Sequence, residues 1–177
     1  MNRIYLIGFM GVGKSTFGKK LAHKLGYRFI DLDIIFEKKY KIRIDDFFGK
    51  YDEELFRKLE HDTLKESFSA VKTVIATGGG SPCFFDAMEK INQKGVSVYL
   101  EMTPTAIAHR LTHAKKPRPL VKGKTGEELR ELIKQKLEER KAFYKQAHFT
   151  VDAINVNAEE VVDLLRENSK SQKTNFK

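Results

Sequence analysis

The chain has 177 residues, a formal net charge of +9, 41% hydrophobic residues and 32% charged residues. These values suit one soluble globular domain with a real core, and no apolar run approaches the roughly 20 residues that cross a bilayer. The single cysteine, Cys83, cannot form an internal disulfide, which fits a reducing cytosol.

The N-terminal segment carries the strongest signal. Arg3–Ile7 reads as a short buried strand, and Lys14–Leu25 as a helix with Phe17, Leu21 and Leu25 at helical spacing. Between them, Gly8-Phe9-Met10-Gly11-Val12-Gly13-Lys14-Ser15 fits G-x-x-x-x-G-K-[ST], a phosphate-binding loop. No secretory leader is read here, because Lys14, Lys19 and Lys20 belong to this loop and its helix. The glycines let backbone N–H groups approach phosphate closely, and the helix N-terminus adds partial positive charge. Gly11, Val12, Gly13, Lys14, Ser15 and Thr16 are thus the expected nucleotide contacts. In such a loop Lys14 reaches the β- and γ-phosphates and the Ser15 hydroxyl binds Mg²⁺.

A second strand, over 28–32, ends in Asp31 and Asp33, and a helix is expected over 34–40. Acids at i and i+2 point to one side while the strand persists. One carboxylate could hold Mg²⁺ through water and the other could orient or deprotonate an attacking hydroxyl. Asp33 alone could instead cap the next helix. A helix over 53–68 carries Phe56, Arg57 and Glu60. The strand Thr73–Ala76 then runs into Thr77-Gly78-Gly79-Gly80, where side-chain-free N–H groups can meet a substrate. Further helices are expected over 84–93, 105–111, 127–146 and 158–167, and strands over 96–100 and 149–151. Thr103 and Pro104 supply a cap and a first-turn proline.

Alternating short strands and helices predict an α/β fold, with helices on both faces of a parallel sheet. The stretch 112–126 is broken by Pro117, Pro119, Gly123 and Gly126. It holds Lys115, Lys116, Arg118, Lys122 and Lys124, and no acid before Gly126, which favours a lid. The segment after Glu167 is polar and lacks periodicity. His109 and His113 are four apart, but no third ligand accompanies them. Arg57, Arg110, Arg118 and Arg140 are candidates for binding carboxylate or phosphate.

Taken together, these motifs resemble the shikimate kinase family. The match runs nearly to Asn157: the phosphate loop, Asp31 and Asp33, Phe56-Arg57-x-x-Glu60, Gly78-Gly79-Gly80, Arg118-Pro119-Leu120 and Arg140…Tyr144. The resemblance implies a three-layer α/β/α P-loop fold, like that of nucleoside monophosphate kinases, with a central five-stranded parallel sheet. It implies a single kinase domain over 1–168, with a substrate-binding region at about 33–60, a lid at about 112–124 and a basic flexible tail at 169–177. It implies ATP-dependent phosphorylation of the 3-hydroxyl of shikimate, in the route to chorismate, by a cytoplasmic monomer without nucleic-acid or membrane partners.

Under that resemblance, Lys14, Asp33 and Arg118 are catalytic. Asp33, Arg57, Gly78, Gly79, Gly80 and Arg140 bind shikimate, with the two arginines on its carboxylate. Arg110 and Arg118 join the loop in binding ATP, and Ser15 and Asp31 hold Mg²⁺. Two positions depart from the family pattern: Ala142 stands where proline is usual, and Asn155-Val156-Asn157 lacks an arginine. A gluconate-type or nucleoside monophosphate kinase is the rival enzyme, and Arg57, Arg140 and the three glycines argue against it. The net charge alone also allows a nucleotide-dependent nucleic-acid-binding module.

Overall fold

A computed structural model describes residues 2–114, 121 and 123–174, with side chains described as far as Glu167. Strands β1 (Arg3–Ile7), β2 (Arg28–Asp31), β3 (Thr73–Ala76), β4 (Val96–Glu101) and β5 (Phe149–Asp152) form one parallel sheet of order β2-β3-β1-β4-β5. The helices are α1 (Lys14–Leu25), α2 (Leu32–Tyr40), α3 (Ile44–Lys50), α4 (Glu53–Glu66), α5 (Ala87–Lys94), α6 (Pro104–Thr112), α7 (Gly126–Tyr144) and α8 (Ala158–Thr174). None of the described helices is long and apolar enough to cross a membrane.

Strand alternation builds two cores from one sheet. Ile4, Leu6, Val74 and Val98 face one way and pack with Leu21 of α1, Ile107 of α6, Ile133 of α7 and Leu165 of α8. Tyr5, Ile7, Ile75 and Tyr99 face the other way and pack with Leu64 of α4, Ile91 of α5 and Tyr144 of α7. The predicted three layers and five parallel strands are therefore present. A third, separate cluster of Phe36, Phe47 and Phe56 ties α2, α3 and α4 together, with ring centroids 5.0 to 5.7 Å apart.

Several boundaries differ from the sequence reading. Leu32 opens α2 instead of closing β2, and Asp31 caps it, its Oδ1 accepting from the Asp33 N–H at 3.1 Å. Asp33 therefore sits inside the first turn, not on the strand, and it is not the cap. Helix α3 was not predicted, because seven residues are too few to show a period. The helix expected from 84 begins at Ala87, since Phe84 is extended and Phe85 has φ +54°. Helix α8 continues past Glu167 to Thr174, so the backbone is helical where an irregular tail was expected.

Phe36 is 2% exposed at the centre of the aromatic cluster. Phe36→Ala should lower unfolding free energy in urea by about 3–5 kcal/mol. A loss below about 1 kcal/mol would show that the cluster is a surface feature with little core character.

Candidate active site

The site forms where β1, β2 and β3 end. Leu6 pairs with Ala76, and Ala76 with Asp31, so the loops leaving these strands start level. Ligands of open α/β sheets bind outside such strand ends, where the strand order reverses. Here the order reverses around β1, which has β3 on one side and β4 on the other.

The loop after β1 has the shape its glycines predict. Gly11 and Gly13 adopt φ +81° and +100°, conformations that other residues resist. Gly13 is the N-cap of α1, no side chain caps that end, and no acid lies in its first turn. Its N–H groups and partial positive charge are left for an anion. Lys14 is buried, and its ammonium donates to the carbonyls of Gly8 at 2.7 Å and Phe9 at 2.8 Å, spanning the loop. The Ser15 hydroxyl donates to Asp31 Oδ2. A cleft of about 270 Å³ collects Lys14, Ser15, Thr16, Asp31, Asp33, Thr77 and Gly79.

A second cleft, of about 310 Å³, adjoins the first and is lined by Asp33, Ile44, Phe48, Glu53, Phe56, Arg57, Glu60, Gly78, Gly79, Gly80 and Arg140. Met10, Asp33 and Gly79 line both clefts. All the predicted acceptor residues thus come together. The three glycines serve close approach here: a Cβ on Gly79 would lie 2.9 Å from the Met10 amide nitrogen, one on Gly80 would lie 2.8 Å from Arg57 Nη1, and one on Gly78 would collide with Glu60. Tyr144 is fully buried and holds this turn, its hydroxyl donating to the Gly79 carbonyl at 2.5 Å. Burial pushes the Tyr144 phenol well above its ordinary pKa, so it stays protonated as a donor.

The two arginines differ. Arg57 Nη1 donates to Glu60 at 2.7 Å, and its Nη2 and Nε donate to Glu53 at 2.9 and 3.2 Å. Arg140 is 9% exposed, and its buried Nη1 has no hydrogen-bond partner among the described residues. A buried guanidinium nitrogen left so is costly unless an acceptor arrives. Glu60, like Glu53 and Tyr144, is a site residue to which the sequence reading gave no role. Its place three residues after Arg57 on one helix face was the available signal. Burial pushes its carboxyl up to about 7; pairing with Arg57 opposes this and the nearby Asp33 adds to it.

Beside the loop, a larger cleft of about 920 Å³ is lined by Val12, Gly13, Thr16, Lys20, Arg110, Ile154, Val156 and Asn157. Arg110 Nη1 donates to the Val12 carbonyl at 3.0 Å. Val156, from the segment that departs from the family pattern, and the preceding Ile154 give this cleft part of its aliphatic lining. Arg118 lies outside the described residues, as does most of the predicted lid. No group of three His, Cys, Asp or Glu side chains among the described residues could hold a metal ion. Ser15 and Asp31 remain a hydroxyl and a carboxylate within contact, a donor set that fits Mg²⁺, which takes few protein oxygens and completes its shell with water and phosphate.

The raised Glu60 carboxyl has a consequence for stability. Folded Glu60 keeps its proton to about 7, while the unfolded chain releases it near 4.5, so stability is lost as pH rises between the two. Glu60→Gln has no proton to lose. Relative to the unaltered protein it should gain stability in urea on going from about pH 5 to about pH 7.5. Parallel pH profiles for the two proteins would overturn this.

Comparison with known proteins shows the family. The family model described as shikimate kinase matches residues 10–169. A shikimate kinase of Parabacteroides distasonis is 45% identical over 153 residues, covering 86% of this chain and 88% of that one. The crystal structure of a shikimate kinase from Bacteroides thetaiotaomicron superimposes with a TM-score of 0.86 at 40% identity, covering 95% of this chain and 98% of that one. A shikimate kinase from Acinetobacter baumannii, solved in complex with shikimate, gives a TM-score of 0.85 at 33% identity, covering 95% and 94%. The chain belongs to the shikimate kinase family, and its activity is that of an ATP-dependent shikimate kinase in the shikimate pathway.

Proposed function

We propose that the cleft containing Arg140 binds shikimate by its carboxylate and presents the 3-hydroxyl to the γ-phosphate of ATP held on the loop after β1. The observation that carries this is the buried Nη1 of Arg140, which has no hydrogen-bond partner among the described residues, in a cleft shared with Asp33 and the three glycines. Arginine matches a carboxylate in geometry and charge, whereas a neutral sugar would leave it unsatisfied. Arg57 adds a second positive charge, but its existing bonds to Glu53 and Glu60 make it the lesser anchor.

Asp33 lines both clefts and so stands between acceptor and donor. In the proposed step the acceptor oxygen bonds to the γ-phosphorus, the bond from that phosphorus to the β,γ-bridging oxygen breaks, and ADP leaves. The hydroxyl proton passes to the Asp33 carboxylate. Lys14 and the uncapped end of α1 offset charge on the phosphates. Ser15 and Asp31 are the residues that would hold Mg²⁺, which would supply neutralisation of the phosphate charge. Arg110, Ile154 and Val156 would flank the adenine. Arg118 keeps the role of a phosphate contact on sequence grounds. Action as a cytosolic monomer belongs to the same proposal, supported by the resemblance and by the single thiol.

Two experiments test this reading. Arg140→Ala should lower kcat/KM for shikimate by about 30-fold or more, with the KM for ATP changing far less. An analogue with a carboxamide in place of the carboxylate should lose a similar factor with the unaltered enzyme. Combining the two should cost much less than their product. Full additivity would remove Arg140 from the carboxylate, and equal turnover of the neutral analogue would reject the acceptor assignment. Separately, Asp33→Asn should lower kcat about 100-fold or more with only a small change in the thermal midpoint, because Asp31 is the residue that caps α2. A lowered midpoint with kcat preserved would make Asp33 structural.

A further inference from the structure

Beyond the direct contacts, the loop after the three glycines is built in an unusual way. Phe85 is a bulky residue at φ +54°, a conformation such side chains avoid, yet it is 59% exposed. Burial of its ring therefore does not explain the strain. Asp86 stands at the N-cap of α5 but makes no side-chain cap bond. Its Oδ1 lies 3.1 Å from His61 Nε2 on α4, and its Oδ2 lies 3.8 Å from Lys90. The His61 side chain is only 10% exposed, its ring lies 5.0 Å from that of Phe85, and its buried Nδ1 has no partner among the described residues. A strained turn, a foregone cap and an orphaned ring nitrogen all accompany one contact between α4 and this loop.

The residue that the contact places is Phe84. Its ring lies 4.2 Å from the Arg57 guanidinium carbon, closer than the Phe56 ring at 5.1 Å. Glu53 and Glu60 hold the edges of that guanidinium, while an aromatic face fixes its plane. His61 is four residues after Arg57 on the same helix, so the loop is anchored one turn from the group it covers.

We infer that His61 and Asp86 latch the Phe84–Phe85 turn onto α4, so that Phe84 fixes the plane of Arg57 toward the shikimate carboxylate; both act as positioning residues for acceptor binding. This rests on the reading that Arg57 faces the acceptor. Loss of the latch frees Phe84 and with it the guanidinium plane. The donor side, on the far side of Asp33, is untouched.

The test is steady-state kinetics on the full-length protein, with shikimate and ATP varied separately, alongside thermal melts. His61→Leu, Asp86→Ala and Phe84→Leu should each raise the KM for shikimate about 3- to 10-fold, the range of a cation–π contact. Each should leave the KM for ATP and kcat within about twofold. The His61→Leu/Asp86→Ala pair should be no worse than the worse single variant. His61→Gln keeps a donor where Nε2 stands and should restore near-normal kinetics. Proportional rises in both KM values, a fully additive pair, or an unchanged shikimate KM in Phe84→Leu would each overturn the latch. Phe84→Leu decides the matter if His61→Leu does not fold. Arg57→Lys separates the two readings. If it leaves the shikimate KM unchanged, the placement of Arg57 itself fails. If it raises that KM but His61→Leu still exacts its full factor in the Arg57→Lys background, the latch alone fails.

Discussion

The level register of three parallel strands is the constraint on which the site depends. Leu6, Ala76 and Asp31 lie side by side, and neighbouring strands are about 4.8 Å apart. The phosphate loop, the glycine turn and the start of α2 therefore leave the sheet together. A slip of one residue in β3 would exchange Val74 and Ile75 between the two cores and carry the glycines out of line. Thr77 reinforces the register by bonding to the Leu6 carbonyl through both its N–H and its hydroxyl. The hydrophobic alternation that makes the core is thus also what aligns the chemical groups.

Within that frame, the cleft that holds Arg57 and Arg140 is a problem in buried charge. Arg57 and Arg140 face Asp33, Glu53 and Glu60 around a small volume. Burying Glu60 is unfavourable, and its pairing with Arg57 recovers part of that cost. Together with Glu53, Glu60 takes up much of the hydrogen-bonding capacity of Arg57, which leaves Arg140 the less committed of the two guanidinium groups. Side chains at Gly78 or Gly80 would occupy the space these charged groups need.

Much of this was legible in the chain. The strand–loop–helix context identified the phosphate loop, because each part has a local signature of its own. Short apolar runs identified all five strands. Helix α3 left no such signal, since its seven residues are too few to show a helical period. The Phe84–Asp86 turn read as helix because local preference carries no account of the contact that His61 makes from another element. Asp31 and Asp33 line one cleft, but not for the reason the spacing suggested: they converge across a strand-to-helix junction, not along a strand. The different hydrogen bonding of Arg57 and Arg140 depends on who else is nearby, which spacing does not reveal.

The absence of a side-chain cap on α1 and the presence of one on α2 make sense together. Asp31 satisfies the Asp33 N–H and accepts from Ser15, which leaves the Asp33 carboxylate outside the capping arrangement. A capping side chain on α1 would compete with phosphate for the same N–H groups, and an acid there would repel it. Gly13 supplies the required backbone turn with neither effect. The two helix starts thus divide the work at the junction of the clefts. One end is kept bare for an incoming anion, and the other is closed by a residue that also orients Ser15. A group moving between the clefts must cross at Met10, Asp33 and Gly79, where backbone from the loop and the turn approach so closely that a single added methyl would force them apart.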